Sequence, residues 1–107
     1  MSKAAYWQRG ESLDFTNAGT TVIEANTVVE LTGRIGIAGT DIAPGAKGDL
    51  HVTGVFEFDK TGTAAITMGQ TVYYDGAGIT DTEGGTPAGF AAADAAAADT
   101  KVLVKIG

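Results

Sequence analysis

One histidine, two serines and no cysteine are all that this 107-residue chain offers toward nucleophilic or metal chemistry. Without Cys, disulfides and thiolate metal sites are excluded outright. His51 has no second His or Cys with which to share a metal. It falls on the polar side of an alternating run, which predicts a surface or sheet-edge position. Ser2 and Ser12 lack the glycine-flanked context of a nucleophile elbow. Asp41, Asp49, Asp59, Asp75, Asp81, Asp94 and Asp99 are spread over separate turns and do not form the closely spaced oxygen ladder of a calcium loop. Asp bonds turn backbones through its own side chain, and that role accounts for them. Gly33-Arg34-Ile35-Gly36-Ile37-Ala38-Gly39 superficially resembles a phosphate loop, but no helix pattern follows it, and Lys47 is succeeded by Gly rather than Ser or Thr. These glycines fit tight turns and close strand approach better. No metal, no cofactor and no catalytic constellation is expected.

The aromatic pair Tyr6-Trp7, followed by Gln8, is the remaining candidate. It lies ahead of the first clear strand and contains the only tryptophan. Trp and Tyr are enriched at protein–protein hot spots. Two readings stand: Trp7 plugs one end of the domain's own core, or residues 1–10 form an arm that docks on a neighbour through Tyr6, Trp7 and Gln8.

These side chains must be positioned by strands, because the dominant hydrophobic signal has a period of two. It runs through Leu13-Asp14-Phe15-Thr16, Val29-Glu30-Leu31, Ile35-Gly36-Ile37, Val72-Tyr73-Tyr74 and a closing Val102, Val104, Ile106. The longest run spans residues 50–58, with Leu50, Val52, Phe56 and Phe58 sharing a face and His51, Thr53, Val55 and Glu57 opposite. Turn signals separate these runs at Asn17-Ala18-Gly19, Ala43-Pro44-Gly45, Lys60-Thr61-Gly62, Asp75-Gly76 and Glu83-Gly84-Gly85-Thr86-Pro87. The pattern predicts an all-β fold, a small antiparallel β-sandwich or barrel, with one domain over 11–107 behind the arm. Residues 88–98 are mostly alanine, which favours helix by propensity. Pro87, Gly89 and the lack of an apolar stripe favour a strand through Gly89-Phe90-Ala91-Ala92 and then a turn. No repeat with a clear period is visible.

The net charge of −6, with Lys and Arg scattered along the chain, argues against nucleic-acid or anionic-membrane partners. No apolar run reaches the roughly 20 residues of a membrane span, and no signal-like segment opens the chain. A soluble protein made in a cytoplasm is therefore expected.

Read in order, several blocks resemble the capsid cement (decoration) proteins of tailed bacteriophages. They are Tyr6-Trp7-Gln8-Arg9-Gly10-Glu11-Ser12-Leu13-Asp14-Phe15-Thr16-Asn17; Thr27-Val28-Val29-Glu30-Leu31 with Gly33-Arg34-Ile35-Gly36-Ile37-Ala38; Ile42-Ala43-Pro44-Gly45-Ala46-Lys47-Gly48 leading into Val52-Thr53-Gly54-Val55-Phe56-Glu57-Phe58; Ala65-Ile66-Thr67-Met68-Gly69-Gln70-Thr71-Val72-Tyr73-Tyr74-Asp75; and Ala88-Gly89-Phe90-Ala91-Ala92-Ala93-Asp94 through Asp99-Thr100-Lys101-Val102-Leu103-Val104-Lys105-Ile106. The resemblance implies a non-enzymatic virion structural protein on the outer capsid surface, bridging major capsid subunits. It also implies synthesis in the bacterial host cytoplasm and a homo-oligomer or copies related by shell symmetry. A tail or head-fibre β-module and a small carbohydrate- or ligand-binding β-module are the alternatives.

Overall fold

The computed structural model describes residues 1–107 and contains strands and turns but no helix. Nine strands follow one another: β1 (Ser12–Thr16), β2 (Val28–Leu31), β3 (Arg34–Ala38), β4 (Lys47–His51), β5 (Gly54–Asp59), β6 (Thr71–Tyr74), β7 (Ile79–Thr80), β8 (Thr86–Ala91) and β9 (Lys101–Ile106). They form two antiparallel sheets, one ordered β1-β4-β3-β2 and the other β5-β9-β8-β6-β7. The all-β antiparallel architecture expected from the period-two pattern is thus observed.

Alternation predicts burial best in β9, where Val102, Val104 and Ile106 are buried and Lys101 and Leu103 are exposed. Phe56 and Phe58 on β5 sit opposite Val104 and Val102, so their rings complete the same buried layer. The expected continuous run over 50–58 is corrected. β4 ends at His51, β5 begins at Gly54, and the two strands belong to different sheets. Gly54 has φ of 121°, a conformation that side chains rarely adopt, and it redirects the chain while leaving the alternation intact on either side. Leu50 consequently packs over Gly36, where a Cβ would lie 2.6 Å from the leucine Cγ, and not beside Phe58.

The alanine-rich segment is strand as far as Ala91, then a turn closed by Asp99 N–H donating to the Ala96 carbonyl at 3.0 Å. The helix alternative is not realised. Thr86 and Pro87, read as turn residues, instead open β8. Pro87 is unpaired on the β9 side, where β8 pairs only at Phe90 and Ala91, and on the β6 side it lies opposite Tyr73 at a register shift, the kind of irregularity at which proline is found in sheets.

The two sheets are copies of one design. Setting β7 aside, β5-β9-β8-β6 reproduces β1-β4-β3-β2 strand for strand. Register agrees as well: Leu13↔Leu50 corresponds to Phe56↔Val104, Ala38↔Leu50 to Ala91↔Val104, and Val28↔Ile37 to Thr71↔Phe90. The halves also share an equivalent isolated bridge, Ile23↔Ile42 in the first and Ile66↔Ala95 in the second. Each bridge residue precedes a turn of the same kind, with Thr27, Ala46, Gln70 and Asp99 donating N–H to Glu24, Ala43, Thr67 and Ala96 carbonyls. Even a side-chain bond repeats, since Asp41 accepts from Ala25 N–H and Asp94 from Met68 N–H, both at 2.8 Å. The sequence expectation of no repeat is therefore corrected at the level of structure.

The main core holds 12 buried residues, including Ile35, Ile37, Phe58, Ile66, Val72, Val104 and Ile106. All but Ile35 and Ile37 come from the second half, so the first half contributes one outer face to it. Ile42, Leu50 and Ala38 are buried on the opposite face of the first sheet.

Candidate functional site

Residues 1–10 carry no strand or bridge, and every one of them is exposed. The chain becomes fixed at Glu11, whose carbonyl accepts from Val52 N–H at 3.0 Å. Tyr6 is 84% and Trp7 90% exposed, and Gln8 beside them is exposed too. Trp7 does not plug the domain's core; that reading is corrected, because its ring stands clear of the domain. The three predicted interface residues therefore lie together on one extended segment. Lys3 and Arg9 flank them, and all thirteen acidic residues lie beyond residue 10. The segment is thus cationic and aromatic, ahead of an acidic domain.

Two shallow clefts, of about 450 and 430 Å³, share Asp75, Gly84 and Gly85 and add Glu30, Tyr74, Thr80, Thr82 and Glu83. Their ionisable lining is acidic, Glu30, Asp75 and Glu83, with the Tyr74 phenol beside it. Burial, followed by the charges of Glu30 and Asp75, pushes the Tyr74 phenol above its ordinary pKa, so it stays protonated. Its hydroxyl donates to the Gly76 carbonyl at 3.1 Å. Asp75 is held below the usual carboxylate range, first by the Thr61 hydroxyl and then by Ala77 N–H, while Gly78 N–H acts in the same sense. An ionised carboxylate with its lone pairs so occupied shapes a turn and has no proton to exchange near neutrality.

Asp41, Asp94 and Asp99 behave as turn residues, as the sequence suggested, whereas Asp49 and Asp59 lie in β4 and β5 and correct that expectation. Asp41, Asp94 and Asp99 each accept a backbone N–H at 2.8 Å, and Asp59 pairs with Lys101. No three of the His, Asp and Glu side chains converge as metal ligands would. His51 departs from its expected edge position: it lies on β4, an interior strand, half-buried with its ring 6.0 Å from that of Phe56. Gly33 and Gly36 belong to the β2–β3 hairpin, with Gly33 at φ of 76° in the turn and Gly36 under Leu50. No phosphate-loop geometry exists there.

Sequence reasoning missed a second feature. Val55 (55% exposed), Phe90 (41%) and Leu103 (41%) share the outer face of the five-stranded sheet. Lys105 lies between Val55 and Phe90 in register, its ammonium 5.9 Å from the centre of the Phe90 ring. Alternation had placed Val55 opposite Phe56 and Phe58, but it assigned no face to Phe90, so the cluster could not be seen from the sequence.

The molecule is all-β, made of two like halves, with an exposed aromatic segment at residues 1–10 and an open apolar sheet face. Among known families, residues 7–106 match the phage cement protein family. The chain belongs to that family and so to the structural proteins associated with phage capsids. No curated protein and no solved structure matches it.

Proposed function

We propose that the protein binds the outer surface of an assembled phage shell and stabilises it by bridging neighbouring major capsid subunits, without catalysing a reaction. The family match over residues 7–106 carries this reading. A ligand that binds the assembled state and not its separated parts shifts the balance toward assembly. Many copies acting on one shell make modest affinity per copy sufficient.

The arm is the contact element in this reading, with Tyr6, Trp7 and Gln8 reaching a neighbour. At 84% and 90% exposure Tyr6 and Trp7 have nearly their whole side chains left to bury. Burying a large apolar side chain contributes about 1.5–3 kcal/mol. The acidic domain disfavours nucleic acid and anionic lipid as partners, and no helix is long and apolar enough to cross a membrane. Synthesis in the host cytoplasm followed by addition to the finished shell completes the proposal.

Removing residues 1–9 tests it. The shortened domain is expected to keep its β-sheet circular dichroism and cooperative melting, because nothing in the core comes from the arm, yet to bind shells more weakly. Undiminished binding would exclude the arm as the contact element, and an unfolded product would return Trp7 to the core.

A further inference from the structure

The repeat shows which surface of this molecule lacks a partner. In the first half, Ser12, His51, Ile37 and Val28 form one row across the sheet. The second half covers that row. Ile37 is 4% exposed, the His51 ring faces Phe56, and a slot of about 290 Å³ joins Val28 and Ile37 to Phe56 and Phe58. In the second half the equivalent row is Val55, Lys105, Phe90 and Thr71. There Phe90 stands where Ile37 does, and it is 41% exposed.

The covering surface also has a counterpart without a partner. Phe56 and Phe58, on edge strand β5, correspond in register to Leu13 and Phe15 on edge strand β1. Leu13 is 42% exposed and Phe15 half-buried. The chain therefore contains one head-to-tail contact between its halves, with one unused copy of each of that contact's two surfaces.

We propose that the outer face formed by Val55, Phe90, Leu103 and Lys105 receives the β1 edge of a second copy of this chain, through Leu13 and Phe15. The contact repeats between molecules the one already made between halves. It is heterologous, so successive copies form a closed ring or a chain according to the rotation between them. It also carries the exposed arm onto the neighbouring copy. Within one molecule Val52 and Thr53 link His51 to β5; between molecules, the arm's Arg9 and Gly10 come to lie beside the Lys105 end of the preceding copy. The proposal goes beyond shell binding and does not depend on it.

Two exposed positions test it on the full chain. Sedimentation velocity is expected to show wild-type mass rising with concentration, while Phe90→Glu and Leu13→Glu each raise the dissociation constant by about tenfold or more, as loss of an interface anchor does. Circular dichroism identical to wild type establishes that both variants fold. Mixing them is the decisive arm. Phe90→Glu keeps an intact β1 edge and Leu13→Glu an intact outer face, so together they form one-to-one pairs that neither forms alone and that grow no larger. Variants that stay separate when mixed would overturn the proposal, as would a wild-type chain monomeric up to about 1 mM. If that monomer lost shell binding on Phe90→Glu, the face would belong to the capsid instead.

Discussion

Replacing Val104 with aspartate tests how the core is built. Val104 is fully buried on β9, between Phe56 and Ala91 in register. Losing its burial costs about 1.5–3 kcal/mol. Placing a carboxyl among apolar groups without a hydrogen-bond partner adds about 1–3 kcal/mol even if it takes up a proton to avoid the charge. The expected loss is therefore about 2.5–6 kcal/mol, a large part of the roughly 5–15 kcal/mol that holds a domain of this kind together. Urea unfolding followed by circular dichroism reads this as a lowered midpoint, or as a chain already unfolded in water. The control is the neighbouring residue. Leu103 faces outward opposite Glu57, so Leu103→Lys is expected to stay within about 0.5 kcal/mol of wild type. Equal losses at both positions, or a wild-type midpoint for Val104→Asp, would refute the assignment of the β9 faces.

Asn17 is 3% exposed; its amide donates to the Thr21 and Ile42 carbonyls at 2.8 and 2.9 Å and its oxygen accepts from Gly19 N–H. Asn17→Ala leaves those groups unpaired and is expected to cost about 1–3 kcal/mol by urea unfolding, and a neutral result would contradict the role assigned to it. Gly36→Ala drives a Cβ into Leu50 and is expected to destabilise by about 1–3 kcal/mol, whereas Gly10→Ala meets open space and should leave the melting temperature unchanged. Asp75 has a folded pKa held down, mainly by Thr61, so its contribution to stability is present above the ordinary carboxylate pKa and is lost as pH falls through the lowered value. Melting curves of wild type and Asp75→Asn should accordingly converge in acid, and a gap that persists there would show that the Thr61 and Ala77 bonds do not depend on the charge.

The strands were legible wherever alternation ran for four residues or more, as in Val102, Val104 and Ile106 or in Leu13 and Phe15. Between Leu50 and Phe58 the pattern misled, because Gly54 turns the chain into the other sheet without breaking the alternation. β7 is two residues long, too short for any periodicity to register. The duplication was hidden for two physical reasons. Equivalent positions keep few identities, among them Phe15 and Phe58, Ile23 and Ile66, Val29 and Val72, Gly36 and Gly89, Ala38 and Ala91, and Asp41 and Asp94, and these common residue types are scattered too thinly to stand out. The insertion bearing β7 also changes the spacing partway along, so no fixed period exists. That Tyr6 and Trp7 lie ahead of the first strand could be read directly from the sequence, and the structure adds that both are exposed. The open face was not, because exposure of Phe90 follows from which half covers which.

Co-sedimentation of the purified protein with expanded, undecorated capsids of the phage that encodes it, against unexpanded procapsids, tests the central claim most directly. Saturable binding to the expanded shell, with the shell then surviving a higher temperature, is the predicted result. A protein left in the supernatant with both shells would contradict the cementing role.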